Sequence, residues 1–481
     1  MSGGHGVAGS SPASPNIFPL QTNTPVHPIN HNPRSYSVNH IRKTYYIHSL
    51  GCNKNTADSE VLMSMLSERG FRRVEEPEDA ERIIVNTCAF IDEAKQEAVD
   101  TILGLSGRIH EGAALIVTGC FPQLFADEIE QKIPEADIIA GSGDLVAVID
   151  AIDSPPDQRD YPSTRVIPEH FSNTVMRTQF LSNRGYTYLK ISDGCSRGCS
   201  FCLIPRIKGG LRSRSADEII LEAKQLESLG IGELILTSQD TLGYGTDLGE
   251  NRGLRFLIEH LLEETEIPFI RLLYLRPAKG LLRILDLFEN SRVVPYFDIP
   301  VQHAAEKVLK NMTREGSSLY YEKIIDEIRN RIPHAVLRTT LITGFPGEGK
   351  DEFEELLTFI KRVRFNHLGA FVFSPQRETR AYQLDERVKT RIAERRREII
   401  LTHQKGISRE LLQAEVGKTF EVLIEEKIEN EKLYFGRSYH FTPEVDGLFV
   451  IESERTLKPG SIVRVQATSS EDYDLHGREI L

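Results

Sequence analysis

Three closely spaced cysteines are the residues of this chain best suited to carry chemistry. Cys195, Cys199 and Cys202 lie in the stretch Ile191-Ser-Asp-Gly-Cys-Ser-Arg-Gly-Cys-Ser-Phe-Cys202. A 4Fe-4S cluster is normally held by four thiolates, so a group of three leaves one iron free to bind another molecule. Two plainer interpretations are a zinc site and buried small hydrophobes. Zinc takes four ligands, however, and no other Cys or His lies near enough in sequence to complete the set.

The Cys-x3-Cys-x2-Cys spacing, with Phe201 before the last cysteine, resembles the signature of the radical S-adenosylmethionine (SAM) enzymes. The resemblance implies that the open iron chelates the amino acid end of SAM. An electron from the cluster would break the sulfonium bond and leave a 5'-deoxyadenosyl radical, which removes hydrogen from an unactivated carbon. The predicted cofactor-binding residues are Cys195, Cys199, Phe201 and Cys202.

The other three cysteines occupy equivalent places in a different part of the chain. From Thr44 to about Ser154, short β-branched runs at 45–49, 82–86, 115–118 and 137–140 alternate with helical stretches, which predicts an open α/β sheet. Cys52, Cys88 and Cys120 directly follow the first three runs, and the carboxyl ends of such strands line one crevice. One such cysteine alone would be taken for a buried small residue. Three together predict a second three-thiolate 4Fe-4S cluster, so all six cysteines are predicted metal ligands.

These cysteines need elements that position them, and the middle of the chain supplies a repeating pattern. Strand-like runs at 187–191, 233–237, 270–274, 296–299, 336–342 and 370–373 alternate with helical stretches. This order predicts parallel strands that curl into a partial βα barrel, with the catalytic groups at the carboxyl ends of the strands. From residue 417 onward, short strands broken by Gly, Pro, Asn and Asp predict a small β-barrel. The fold class is therefore α/β with a small C-terminal β-barrel.

Three further patterns in the core region are open to a functional and a structural interpretation. Gly344-Phe-Pro-Gly-Glu-Gly-Lys350 resembles a phosphate-binding loop, but Asp351 follows where Mg²⁺ would need a hydroxyl. We therefore predict a tight turn into a helix with an acidic first turn. His303 is predicted to be structural. A basic group past the cysteines could neutralise a carboxylate at the site or form a solvated loop; its members are Arg206, Lys208, Arg212 and Arg214.

The whole chain after Lys43 resembles the methylthiotransferases, which replace a C–H bond by C–S–CH3. The resemblance covers the domain order and several motifs: Ser49-Leu-Gly-Cys-Asn-Lys-Asn55, Asp58-Ser-Glu60, Ser238-Gln-Asp-Thr241, Asp298-Ile-Pro-Val-Gln-His303, Thr343-Gly-Phe-Pro-Gly-Glu348 and Tyr473-Asp-Leu-His-Gly477. It implies that SAM serves as methyl donor and as radical source. The cluster at Cys195 would generate the radical, and the cluster at Cys52 would hold or supply the sulfur. Asn53 departs from the family pattern, which usually has Pro there.

Two observations bear on the substrate. The motifs resemble the branch that modifies the β-carbon of an aspartate in small-subunit ribosomal protein S twelve. The C-terminal barrel, 417–481, carries eight Lys and Arg against thirteen Asp and Glu, which suits a basic protein better than a phosphate backbone. The alternatives are a tRNA adenosine methylthiotransferase and a noncatalytic iron-sulfur or zinc-stabilised RNA-binding protein. The resemblance also implies an electron donor such as flavodoxin or ferredoxin and a sulfur source.

Composition sets the remaining expectations. The 481 residues carry a net charge of −12 and 40% hydrophobic residues, which indicates several domains and disfavours nonspecific nucleic-acid binding. No run is apolar enough to span a membrane, and six cysteines in such groups suit a reducing compartment, so the protein is predicted to be cytoplasmic. Residues 1–43 hold six prolines and no acid, which predicts a disordered tail. The predicted domains are then 44–155, 181–415 and 416–481.

Overall fold

The computed structural model describes residues 43–143, 145–153, 165–171, 175–181, 185–249 and 253–480. The predicted tail, except Lys43, lies outside the described residues. The described chain forms an open α/β sheet, a partial βα barrel and a closed β-barrel, in that order. The predicted fold class is confirmed. Within the described ranges, no helix has both the length and the apolar character that a membrane span requires.

The N-terminal sheet is parallel, with strand order β2-β1-β3-β4-β5. Its strands are β1 (Thr44–Ser49), β2 (Arg72–Arg73), β3 (Arg82–Thr87), β4 (Ala114–Gly119) and β5 (Ile138–Ile139). Its helices are α1 (Asn53–Glu68), α2 (Asp92–Ser106), α3 (Cys120–Lys132) and α4 (Leu145–Asp153). The strand order reverses direction between β1 and β3, which opens a crevice at their carboxyl ends.

Side chains that alternate along these strands pack into two separate hydrophobic cores. Ile83 and Val117 pack with α2 and α3 on one face of the sheet, whereas Ile84 and Ile116 pack with α1 and α4 on the other. Strands covered on both faces read as continuous apolar runs, which is why β3 and β4 were predictable. The two-residue strand β2 has no such run and was not predicted.

The central domain contains the six predicted parallel strands. Its strands are β6 (Tyr186–Lys190), the hairpin pair β7 (Ser192–Asp193) and β8 (Arg212–Ser213), β9 (Glu233–Thr237), β10 (Phe269–Leu272), β11 (Tyr296–Asp298), β12 (Val336–Thr343) and β13 (His367–Val372). Its helices are α5 (Ile204–Ile207), α6 (Ala216–Ser228), α7 (Leu254–Glu264), α8 (Glu306–Asn311), α9 (Ser318–Arg331) and α10 (Lys350–Val363). The strands form two sheets, β10-β9-β6 and β11-β12-β13, and a parallel bridge links Ile270 of β10 to Val293, three residues before β11. Helix α10 begins at Lys350 with Asp351 in its first turn, as predicted.

The C-terminal domain is a closed barrel of order β14-β15-β16-β18-β17, reached through α11 (Thr390–Gln413). Its strands are β14 (Thr419–Lys427), β15 (Leu433–Arg437), β16 (Phe449–Glu452), β17 (Ile462–Ser470) and β18 (Leu475–Glu479). Inward-facing residues such as Phe420, Phe449 and Val465 form a core of their own.

The two outer domains dock at opposite ends of the central strands. At the amino end, Glu233 begins β9 and lies 2.6 Å from Arg437 of β15. At the carboxyl end, the hydroxyl of Thr237 donates to the Asn53 side-chain oxygen of α1 over 3.2 Å. The N-terminal domain therefore covers the end of the barrel where catalytic groups belong.

Candidate active site

The first cysteine group lies on a loop enclosed by the hairpin β7–β8. The backbone amide of Cys195 donates to Gly209 over 3.1 Å, which closes the loop at its base. Ser200 donates from its amide to Met312 over 3.0 Å and accepts from Ala381 over 2.8 Å. These bonds fix the cysteine loop to the segments that follow β11 and β13, at the carboxyl end of the barrel.

The three thiols of this loop form a set of soft sulfur donors. Cys195, Cys199 and Cys202 are all free. The amide of Ile204 donates to the Cys202 sulfur over 3.4 Å, and the Arg314 guanidinium reaches the Cys199 sulfur over 3.8 Å. Burial raises the pKa of Cys195, and it raises the pKa of Cys202 to about 12. Metal binding must therefore displace protons from these sulfurs.

Phe201 points its ring at an aromatic group at the end of β12. Its ring centroid lies 6.1 Å from that of Phe345 in an edge-on arrangement, and Phe345 lies 4.7 Å from Phe373. Phe345 belongs to the Thr343–Glu348 motif. The arrangement gives the cysteine loop an apolar wall on one side.

The second cysteine group lies in the crevice of the N-terminal sheet. Cys52 caps α1, Cys88 follows β3, and Cys120 begins α3. Gly51 has a φ of 91°, and a Cβ there would lie 2.6 Å from the Cβ of Cys88. Gly119 has a φ of 101°, and a Cβ there would lie 2.5 Å from the Thr87 carbonyl oxygen. Only glycine lets the three turns approach this closely.

Asn55 ties the three turns of this second group together. Its side-chain amide donates to the carbonyls of Leu50 and Thr87, each over 3.0 Å. Its side-chain oxygen lies 3.9 Å from the sulfur of Cys120. Burial raises the pKa of Cys88, and it raises the pKa of Cys120 to about 12.

Both groups fit the donor chemistry of an iron–sulfur cluster. Each consists of free thiols, and thiolates are the ligands that such clusters prefer. Across the described part of the chain, no three His, Cys, Asp or Glu side chains are arranged around a single metal ion. A four-iron cluster spreads its ligands over a larger volume than one ion does. The ligand roles of the six cysteines remain predictions.

The two groups are neighbours across the domain interface. Leu203 and Ile207, which follow Cys202, pack in the same core as Cys120 and Phe121. The chain after the first cysteine group thus shares a hydrophobic core with Cys120 of the second group.

A buried charged cluster seals this interface. Lys190 lies 2.8 Å and Lys208 3.2 Å from Asp58 of α1. Lys208 and Arg212 also pair with Asp193, at 3.7 Å and 3.4 Å. Burial opposes the ionisation of Asp193, but Lys190 and Lys208 lower the pKa of that carboxyl to about 2.

The basic residues that follow the first cysteine group therefore include three buried members and one exposed member. Lys208, Arg212 and Arg214 are buried, and Arg214 lies 2.7 Å from Glu222. The solvated-loop interpretation is therefore wrong for these three, because buried carboxylates pair with them: Asp58 and Asp193 with Lys208, Asp193 with Arg212, and Glu222 with Arg214. Arg206 is exposed.

His303 is fully buried, in keeping with the structural role predicted for it. Its Nδ1 accepts from the Ala305 amide over 3.0 Å, and its Nε2 lies 3.3 Å from Glu348. Glu348 also accepts from the Gly344 amide over 2.9 Å and pairs with Arg396 at 2.7 Å. Sequence reasoning missed Arg396, which lies on α11, and Arg314; no local pattern marks either.

The sequence matches three family models. One, described as Uncharacterized protein family UPF0004, covers residues 44–141; the Radical SAM superfamily covers 189–360; and the TRAM domain covers 416–480. A solved structure of the cobalamin-dependent S-adenosylmethionine radical enzyme OxsB with aqua-cobalamin bound has a TM-score of 0.50 and 13% identity, covering 76% of this chain and 56% of that one. That likeness concerns the fold alone. The chain is a radical SAM protein with a C-terminal TRAM domain.

Curated relatives identify the family within the radical SAM proteins to which this chain belongs. The ribosomal protein uS12 methylthiotransferase RimO of Clostridioides difficile (strain 630) is 38% identical over 437 residues, which cover 90% of this chain and 97% of the relative. The protein of the same name from Aquifex aeolicus (strain VF5) is 40% identical over 434 residues, which cover 90% and 96%. This chain belongs to the RimO family.

Proposed function

We propose that this protein is a radical SAM methylthiotransferase that adds a methylthio group to the β-carbon of an aspartate in ribosomal protein uS12. The observation that carries the proposal is the arrangement of the six cysteines. They form two free-thiol groups whose flanking segments pack together at the carboxyl end of the barrel. Membership of the RimO family supports the substrate.

We assign the two cysteine groups different tasks. Cys195, Cys199 and Cys202 hold the cluster that binds SAM, and Cys52, Cys88 and Cys120 hold a second 4Fe-4S cluster at which sulfur is supplied. Held by Cys195, Cys199 and Cys202, the first cluster would supply, together with bound SAM, the radical chemistry needed to remove a hydrogen from the aspartate β-carbon.

The remaining residues of the site position these groups and exclude water. The Lys208–Asp58 pair closes the seam between the domains, because both side chains are buried and bonded. The Phe201–Phe345 contact walls the first group with apolar rings. A radical that attacks C–H bonds requires such shielding from solvent.

The charge of the TRAM barrel supports a basic protein as the substrate. Exposed glutamates lie on β14 and the turn after it: Glu421, Glu426, Glu429 and Glu431. Several basic side chains of the barrel are already ion-paired, as with Arg478 and Glu452 at 2.8 Å or Lys418 and Glu415 at 3.0 Å. Such a surface repels a phosphate backbone and attracts a basic chain.

The reaction also needs partners that the chain does not contain. We propose an electron donor such as flavodoxin or ferredoxin and a separate sulfur source. We place the reaction in the cytoplasm, where thiols stay reduced.

The test is a modification assay on two candidate substrates. The protein is reconstituted anaerobically with iron and sulfide, reduced, and incubated with SAM and either isolated uS12 or tRNA. Mass spectrometry is expected to show a methylthio group on an aspartate of uS12 and none on tRNA, and no product with Cys199→Ala. A product on tRNA alone would contradict the proposed substrate, and the absence of both product and 5'-deoxyadenosine would contradict the enzyme class.

A further inference from the structure

Lys54 is a buried ammonium group without a carboxylate partner. Lys54 is 8% exposed, and its Nζ lies 3.4 Å from the centroid of the Tyr274 ring. Among the described residues, no carboxylate lies within 4.0 Å of it, whereas Lys190 and Lys208 each have two such partners. A cation–π contact offsets part of the cost of removing an ammonium group from water. Since the rest of that cost remains, the position of Lys54 calls for an anion nearby.

Tyr274 is held firmly in an unfavourable backbone conformation. Its φ is 57°, a left-handed backbone conformation that is strained for a bulky residue. The carboxylate of Asp298 fixes it by accepting from the Tyr274 amide over 3.0 Å, and Arg338 in turn pairs with Asp298 at 3.0 Å. The Tyr274 hydroxyl donates to Asn53 over 3.4 Å. The Tyr274 ring is therefore held against Lys54 by a bond from β11, which β12 supports, and by a bond to α1.

Two anionic groups interact electrostatically with Lys54, the Cys52 thiolate and the Asp298 carboxylate, and Arg338 already pairs with Asp298 at 3.0 Å. The second cysteine group is therefore the anion that is left for Lys54 to balance. Lys54 lies two residues after Cys52 in the first turn of α1 and interacts electrostatically with it. When that group carries a cluster, three thiolates outweigh the positive charge of the iron–sulfur core, so the centre is anionic. The net charge around a cluster sets its reduction potential. A fixed positive charge favours the reduced, more negative state.

We propose that Lys54 is the counter-cation of the cluster at Cys52, Cys88 and Cys120, and that the Tyr274 ring clamps it in place. Its charge raises the reduction potential of that cluster above the value that the three thiolates alone would set. The inference rests on the proposed function only in taking these cysteines as cluster ligands. Lys54 and Tyr274 are then positioning residues, since neither binds the metal.

The test measures the potential of that cluster alone. In the full chain with Cys195, Cys199 and Cys202 all changed to Ala, the remaining cluster is titrated with redox mediators and followed by electron paramagnetic resonance. Lys54→Met, which keeps the aliphatic stem, is expected to shift the midpoint to a more negative potential, and Lys54→Arg to restore it. Lys350→Met, at a side chain 86% exposed, is the matched control and is expected to leave the midpoint unchanged.

Two tyrosine variants test the clamp and provide a second route if Lys54→Met loads poorly. Tyr274→Phe keeps the ring and is expected to keep the potential, whereas Tyr274→Leu removes the ring and is expected to lower it. Iron content and circular dichroism establish that each variant is loaded and folded. A loaded cluster whose potential is the same in Lys54→Met and Tyr274→Leu as in the parent would overturn the inference alone. Failure of the parent to bind any cluster would overturn the second cluster and the inference together.

Discussion

Arg437 connects the TRAM barrel to the core, and we refer to this interface as the joint. The change Arg437→Met is expected to destabilise the joint. The Arg437 side chain is 2% exposed, and its Nη2 lies 2.6 Å from Glu233 at the start of β9. Its Nε donates to Glu425, and its Nη1 donates to the Phe441 carbonyl over 3.1 Å. The guanidinium also stacks 4.8 Å from the centroid of the Tyr186 ring. One side chain therefore bonds to both domains out of reach of water.

The size of the effect follows from what the change leaves behind. Removing one partner of a buried ion pair destabilises by about 3–5 kcal/mol, because the other charge stays buried. Glu233 keeps a second partner, Arg271, at 2.6 Å. We therefore expect the lower end, about 3 kcal/mol, which raises the population of the opened joint more than 100-fold at about 1.4 kcal/mol per factor of ten.

Hydrogen exchange measured by mass spectrometry reports how often the TRAM barrel separates from the core. Peptides from β14 and β15 are expected to exchange about 100-fold faster in Arg437→Met, while those from β3 and β4 keep their rates. Arg478→Met is the matched control, since Arg478 lies 2.8 Å from Glu452 but is 68% exposed, and an exposed pair contributes less than about 1 kcal/mol. Equal exchange in the two variants would refute the assignment of Arg437 to the joint.

Three further predictions concern the cysteine groups and the barrel. Cys199→Ala should abolish the release of 5'-deoxyadenosine from SAM, whereas Cys88→Ala should spare it and abolish methylthio transfer; equal loss of release would contradict the separate tasks. Gly119→Ala places a Cβ 2.5 Å from a carbonyl oxygen, so its iron content should fall from two clusters towards one, unlike Gly112→Ala, whose added Cβ would contact nothing. Burial lowers the pKa of His440 to about 3. Stability present above pH ~6.5 should therefore be lost towards pH 3 by up to about 1.4 kcal/mol per pH unit, and His440→Gln should flatten that slope in urea unfolding, or the linkage is wrong.

The strands were predictable from sequence where burial is continuous along the chain. The apolar runs of β3 and β4 and the six barrel strands carry their own signal, and β13 was predicted only three residues late. The positions of the cysteines after these strands indicated the crevice, because strand ends of one parallel sheet must meet. Helix α10 was recognised because its acidic first turn is local.

The docking of the domains was not predictable, because its contacts join residues far apart in sequence. Asp58 meets Lys190 and Lys208 across more than a hundred residues. Lys54 passed unnoticed because its partner, Tyr274, lies at the end of a strand in another domain.

The seam between α1 and the barrel also bears on how such proteins can be recombined. The Asn53 side-chain oxygen accepts hydrogen bonds from the hydroxyls of both Thr237 and Tyr274. The Asp58 carboxylate forms ion pairs with Lys190 and Lys208 of the core. A chimera that took its first domain from one relative and its core from another would have to carry these partners over together. The N-terminal and central domains are thus separate in architecture, but a functional chimera would have to take both from the same relative.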